Sequence, residues 1–150
     1  MSVKQKDGIQ IYSEMISSDA YEVCRQVKVI LNRLERISEI DDDQQFDIRV
    51  ILSELLQNAI RHGNANDSNK KVFVDVWLHD DSRVLSIRVT DQGQGFDVKR
   101  TIECRGKGCS DELAMDESGR GLLIVRNLCD DIQFNPVGNA ITVRMRLGSH

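Results

Sequence analysis

Glu54 and Asn58 stand four residues apart within ELLQNAIRHGN (54–64). In a helix that spacing puts both side chains on one face, about one turn apart. A carboxylate and an amide oxygen so placed are hard donors of the kind a magnesium-bound triphosphate requires. Asn58 is the candidate magnesium ligand, and Glu54 can orient or deprotonate a hydroxyl attacking a terminal phosphate. An isolated ExxxN pair is more often an ordinary solvated helix face; its company sets this one apart. Two glycine-bearing segments follow, DQGQGF (91–96) and GRGLLIVRNL (119–128). Both offer backbone N–H groups with no Cβ in the way.

Asp91 ends an apolar alternating run. A carboxylate there can accept a hydrogen bond from an exocyclic amine such as that of adenine, although D-x-G is also a common turn signal. Gly93 and Gly95 let the backbone pass close under a base or ribose, or simply make a tight turn. Gly119-Arg120-Gly121 is read as preceding a helix, whose free N–H groups and dipole favour an anion, with Arg120 adding a mobile charge. The plain alternative is a hinge. Thr142 is read as supporting an adenine site or as an ordinary strand threonine. His62 reads as a helix C-terminal residue without a catalytic task, and Arg105 and Lys107 as solvated loop charges. No GxxxxGK[ST] and no HRD or DFG set occurs, so ATP would be held neither as in P-loop proteins nor as in eukaryotic-type kinases.

These residues need elements to hold them. Gly8 to Met15 alternates weakly and predicts a first strand. Ser18 and Asp19, with Glu22, signal a helix start, and Ala20 through Ile37 carries an apolar stripe at helical spacing. Asp41 to Asp43 suits the N-terminus of a second helix. Its stripe is Ile48, Ile51, Leu52, Leu55, Leu56 and Ala59, with Glu54 and Asn58 on the flank and Gly63 as terminator. Val72 to Leu78 and Leu85 to Val89 predict an antiparallel pair joined by a turn at 79–83. Residues 97–118 show no period and are read as a lid. A short helix over Gly121 to Cys129 follows, then a closing hairpin with its turn at Asn135 to Asn139. The expected class is α+β: a two-layer sandwich, its sheet mixed but mostly antiparallel, with helices on one face.

The 150 residues are read as a single domain (1–150, core about 8–147). The formal net charge of −4, from 20 basic and 24 acidic residues without a block of one sign, argues against nucleic acid as a partner. Apolar runs are too short for a membrane span and Met1 to Gln10 is too polar for a signal peptide. Cys24, Cys104, Cys109 and Cys129 show no CxxC spacing and read as reduced thiols, so a cytoplasmic location is expected.

ExxxNAxxHGN, then DxGxGF, a lid and GRGLxIV resemble the N box and the two glycine boxes of the Bergerat-fold (GHKL) ATPases. That superfamily includes gyrase, histidine kinase catalytic domains and heat-shock chaperones. The HGN ending, the DxGxGFD wording, the GRGL box and the compact length are most similar to bacterial anti-sigma-factor serine kinases. The resemblance covers roughly residues 8 to 147. It implies ATP and magnesium between the N-box helix and the lid, with Asn58 as magnesium ligand, Asp91 as adenine reader and Glu54 as base toward a protein hydroxyl. It places Gly93, Gly95, Gly119 and Gly121 in the nucleotide loops, and extends the nucleotide-binding set to Asn64, Phe96, Arg120, Leu122 and Thr142. It also implies a sigma factor and an anti-anti-sigma antagonist as partners, and a homodimer. One departure stands out: relatives often carry Gly-Thr-Thr where this chain has Ala140-Ile141-Thr142, leaving one hydroxyl. A different class, an ATP-gated interaction module that regulates a phosphatase without chemistry, fits the same pocket. A detached histidine-kinase catalytic domain would need a partner bearing the phosphoacceptor; a complete sensor histidine kinase is not expected, since no such helix precedes the domain.

Overall fold

The computed structural model describes residues 8–67, 69–79, 83–93 and 117–148, the last stretch with side chains from Arg120. Strand β1 (Ile9–Ser17) is followed by helices α1 (Ala20–Ile37) and α2 (Asp42–Asn58). Strands β2 (Lys71–His79) and β3 (Val84–Thr90) form the expected hairpin; helix α3 (Glu117–Leu128) and strands β4 (Asp131–Phe134) and β5 (Ala140–Arg146) complete the order. The sheet runs β1-β2-β3-β5-β4, and all four pairings are antiparallel.

The chain's alternation explains the layering. Val72, Val74, Val76 and Leu78 on β2, Leu85, Ile87 and Val89 on β3, and Val143 and Met145 on β5 are all buried. Period two puts each set on one face, where they meet Val27, Ile30, Leu34, Ile48, Leu52 and Leu56 of the helices in one core. The other face keeps polar partners: Arg88 lies 4.9 Å above the Trp77 ring and pairs with Asp75 at 3.3 Å. β1 runs to Ser17, past the expected Met15, because Ile16 pairs with Val72 and is 1% exposed. No helix among the described residues is long and apolar enough to cross a membrane.

Acidic caps start both long helices. The Asp19 carboxylate accepts from the amide of Tyr21, and Asp41 Oδ1 accepts from that of Gln44 at 2.8 Å. Two sequence expectations need correction. α3 begins at Glu117, not Gly121, so Gly119-Arg120-Gly121 lies within its opening turns and does not precede it. The second helix also does not stop on a left-handed glycine. α2 runs into a π-helical turn over Ala59–Gly63, closed by the amide of Asn64 donating to Ala59 O at 2.7 Å. The left-handed backbone falls later, at Ala65 (φ 52°) and Asn66 (φ 60°). Gly95, Phe96 and, of the segment expected to be a lid (97–118), residues 97 to 116, with Cys104, Arg105, Lys107 and Cys109, lie outside the described residues, and that segment's last two residues open α3.

Candidate functional site

The π-turn is what brings the motifs together. It lets the last turn of α2 widen, and such insertions are frequent at functional sites. Here it carries Gly63 against the segment that leaves β3. A β-carbon on Gly63 would stand 2.1 Å from Asp91 Oδ2, and one on Gly93 would stand 1.7 Å from the carbonyl oxygen of Gly63. Those glycines are therefore required by close approach, which sequence alone could not distinguish from a helix stop or a tight turn. Asp91 is 8% exposed, and its Oδ1 accepts from the amide of Gly93 at 2.8 Å. Burial pushes its carboxyl above the ordinary carboxylate range, with the Gly93 amide and the charge of Lys70 pulling the other way.

Asn58 lies where two clefts meet. One, an open hollow of about 350 Å³, is lined by Asn58, Asp91, Leu122 and Asn139 with apolar walls from Leu55, Val89 and Ile141 among others. The other, about 590 Å³, is lined by Glu54, Asn58, Arg61, His62, Arg120 and Gly121, together with Gln57 and Ile124. The first is a mostly apolar slot with one carboxylate, the kind of lining that suits a base. The second is polar, with cationic groups and the opening turns of α3, suited to an anion. A β-carbon on Gly121 would stand 2.5 Å from Glu54 Oε2 and 3.7 Å from Asn58 Nδ2, so GRG and the N-box helix face one another directly. Asn58 Nδ2 is buried and has no hydrogen-bond partner among the described residues. A buried amide left unpaired costs free energy, and a ligand at the junction of the two clefts would relieve it.

Six of the residues singled out from sequence thus converge on one site: Glu54, Asn58, Asp91, Arg120, Gly121 and Leu122. Gly93 underlies Asp91, and Gly119 is placed by its backbone alone. Two others are placed elsewhere. Asn64 is 0% exposed, and its amide is consumed internally: Nδ2 donates to Lys71 O at 2.9 Å and Ser18 Oγ at 3.2 Å, and Oδ1 accepts from the amide of Gln92 at 2.8 Å. It ties the π-turn to β2 and to the segment bearing Asp91, so its reach toward phosphates is corrected to a clamp. Thr142 pairs with Arg88 on the face turned away from the helices, because Ile141 and Val143 take the inward positions. It does not line the base slot, and no threonine lines that slot among the described residues.

Sequence reasoning passed over Gln57, Arg61 and Asn139. The first two were within reach, since positions 54, 57, 58 and 61 share one helical face. Asn139 was not, because its place depends on how the β4–β5 turn folds back to β3. His62, expected to have no task, is exposed and lines the anion-side cleft.

The family model described as a histidine kinase-like ATPase domain matches residues 18–145. The chain is similar to the anti-sigma F factor of Oceanobacillus iheyensis, 30% identical over 99 residues, covering 65% of each chain. It is similar to that of Shouchella clausii, 29% identical over 116 residues, covering 74% of this chain and 77% of that one. With the Bacillus licheniformis anti-sigma F factor it shares 32% identity over 101 residues, 66% of each. The alignment thus spans a little under two thirds of the first of these relatives. Because the family model spans most of its length, this chain belongs to the histidine kinase-like ATPase domains.

Proposed function

We propose that the chain is an ATP-dependent serine/threonine protein kinase acting as an anti-sigma regulatory factor. The reading rests foremost on Gly121: its backbone brings the start of α3 against Glu54 and Asn58, so an acid, an amide and an anion-attracting helix end share one small volume. The relatives named as anti-sigma F factors support the regulatory part. In this reading ATP lays its base in the slot beside Asp91, whose carboxylate accepts from the exocyclic amine. Its phosphates lie in the second cleft, near Arg120 and the amides opening α3.

The donor set fits magnesium. Asn58 would hold the ion, Glu54 stands beside it, and the described residues include no cluster of three His, Cys, Asp or Glu side chains that could hold it alone. The other ligands would then be phosphate oxygens and water. The ion when bound supplies charge neutralisation for the transferring phosphoryl group. Glu54 accepts the proton of a serine hydroxyl on the partner as the seryl oxygen bonds to the γ-phosphorus. The bond from that phosphorus to its bridging oxygen breaks, and ADP leaves with the electron pair.

In the partner switch that follows, one state sequesters a sigma factor and the other engages a small anti-anti-sigma antagonist, whose serine is the acceptor. The protein works in the cytoplasm, as a homodimer. Incubation with radiolabelled ATP, magnesium and candidate antagonists should label a serine. Glu54→Gln should abolish labelling while leaving ATP binding intact; undiminished transfer by that variant would refute the role given to Glu54.

A further inference from the structure

The base slot is walled at one end by the β4–β5 turn, and that turn is bonded to Asp91. Asn135 Oδ1 accepts from three successive amides, of Gly138 at 2.8 Å, Asn139 at 3.0 Å and Ala140 at 3.1 Å. Its Nδ2 donates to Asn139 Oδ1 at 2.6 Å. Asn139 then meets Asp91 twice: its carbonyl accepts the Asp91 amide at 2.9 Å, and its Nδ2 donates to the Asp91 carbonyl at 3.3 Å. Gly138 completes the turn at φ 86°, a conformation that favours glycine. Gly138, Asn139 and Ala140 line the same slot as Asp91.

The rest of the slot leaves base recognition to few groups. The Gly93 amide donates to Asp91 Oδ1, Oδ2 lies against Gly63, and Thr142 faces the other side of the sheet. A carboxylate oxygen attracts an exocyclic amine and repels a carbonyl, so its direction decides which purine fits. That direction is set by the Gly93 amide on the carboxylate itself and by the Asp91 backbone, which Asn139 holds at both its amide and its carbonyl.

We infer that Asn135 and Asn139 form a positioning element that fixes Asp91 from the turn side and so sets the preference for an amino-purine over an oxo-purine nucleotide. Both polar atoms of the Asn139 side chain are engaged within the protein, so it acts through Asp91. The inference rests on the nucleotide reading above and adds what makes that reading selective.

The test compares ATP, GTP and inorganic tripolyphosphate, each with magnesium, by calorimetry on the full chain and its variants. Asn139→Ala removes two hydrogen bonds but keeps the three amides on Asn135, and it should lower the ATP-over-GTP preference about ten-fold. Its tripolyphosphate affinity should match wild type. Asn135→Ala should do the same or more. Asn135→Asp keeps the triple acceptor but removes the donor to Asn139 Oδ1, so it should lower the preference as Asn139→Ala does. Wild-type selectivity in both alanine variants overturns the inference, as does an equal loss for all three ligands, the mark of a merely structural effect. If Asn135→Ala shows no cooperative thermal transition, Asn139→Ala decides alone. Wild type that binds no adenine nucleotide overturns the nucleotide reading itself. Selectivity lost in Asp91→Asn but kept in both alanine variants overturns only the role of the turn.

Discussion

The β-carbon that Gly121 lacks would lie 2.5 Å from Glu54 Oε2, so the first turns of α3 and the N-box carboxylate are in direct apposition. The obstructed atom is the tip of a flexible side chain, so Gly121→Ala can be accommodated by displacing Glu54. The variant should fold with a near wild-type thermal midpoint. Its phosphoryl transfer should fall roughly 100-fold, the scale of an ångström misplacement, while ATP affinity changes much less. Single-turnover rates beside calorimetric Kd values would check this, and equal losses in both would count against it.

Gly93 is constrained differently, because its missing β-carbon would stand 1.7 Å from a backbone oxygen, that of Gly63. Backbone cannot swing aside. Gly93→Ala should therefore lower the unfolding free energy by about 1–3 kcal/mol, as overpacking does, and displace Asp91 with loss of ATP affinity. Urea titration of the purified variant measures the first effect. A wild-type midpoint would show that the approach of the two glycines is looser than described.

Asp91 makes its own pH prediction. Burial raises its folded carboxyl above its unfolded value, so the folded chain favours the neutral form. Its contribution to stability is full below the unfolded value and is lost as pH rises through the raised folded one. Near neutral pH Asp91→Asn should thus melt higher than wild type in the absence of nucleotide, with the difference vanishing in acid. Adenine binding requires the ionised form, so wild-type ATP affinity should weaken as pH falls into the raised range, and the variant should lack that step. Thermal melts and Kd values across pH test both; a variant that melts lower at neutral pH would contradict the assignment.

Asn64, buried with three hydrogen bonds, should act on stability and only through it on nucleotide. Asn64→Ala leaves the part-buried Lys71 carbonyl and Gln92 amide without these partners, at a cost of about 1–2 kcal/mol. Denaturant unfolding provides the check. Nucleotide affinity measured well below the transition should stay within about three-fold of wild type if Asn64 does not touch the ligand.

Thr142 lies on the sheet face away from the slot, so Thr142→Val should change ATP affinity less than about two-fold. Ile141→Thr, on the inward side, would restore a hydroxyl to the slot wall and should move base affinity measurably. The reverse pattern would place the slot on the other face of the sheet.

Local periodicity determined much of this protein by itself. Alternation at 72–78 and 85–89 specifies strands with one buried face, and Asp19 and Asp41 mark where helices can start, because those signals depend only on neighbours in the chain. The chemical types at Glu54, Asn58 and Asp91 were equally legible. Tertiary structure decided what lies beyond a few residues' reach. It decided that Gly63 and Gly93 exist for close approach, that Asn64 faces inward, that GRG opens α3 from within, and that Ile141 rather than Thr142 faces the slot. Each depends on strand register or on two segments distant in sequence meeting within a few ångströms, and register in an antiparallel sheet is settled by the burial of whole faces, not by any one residue.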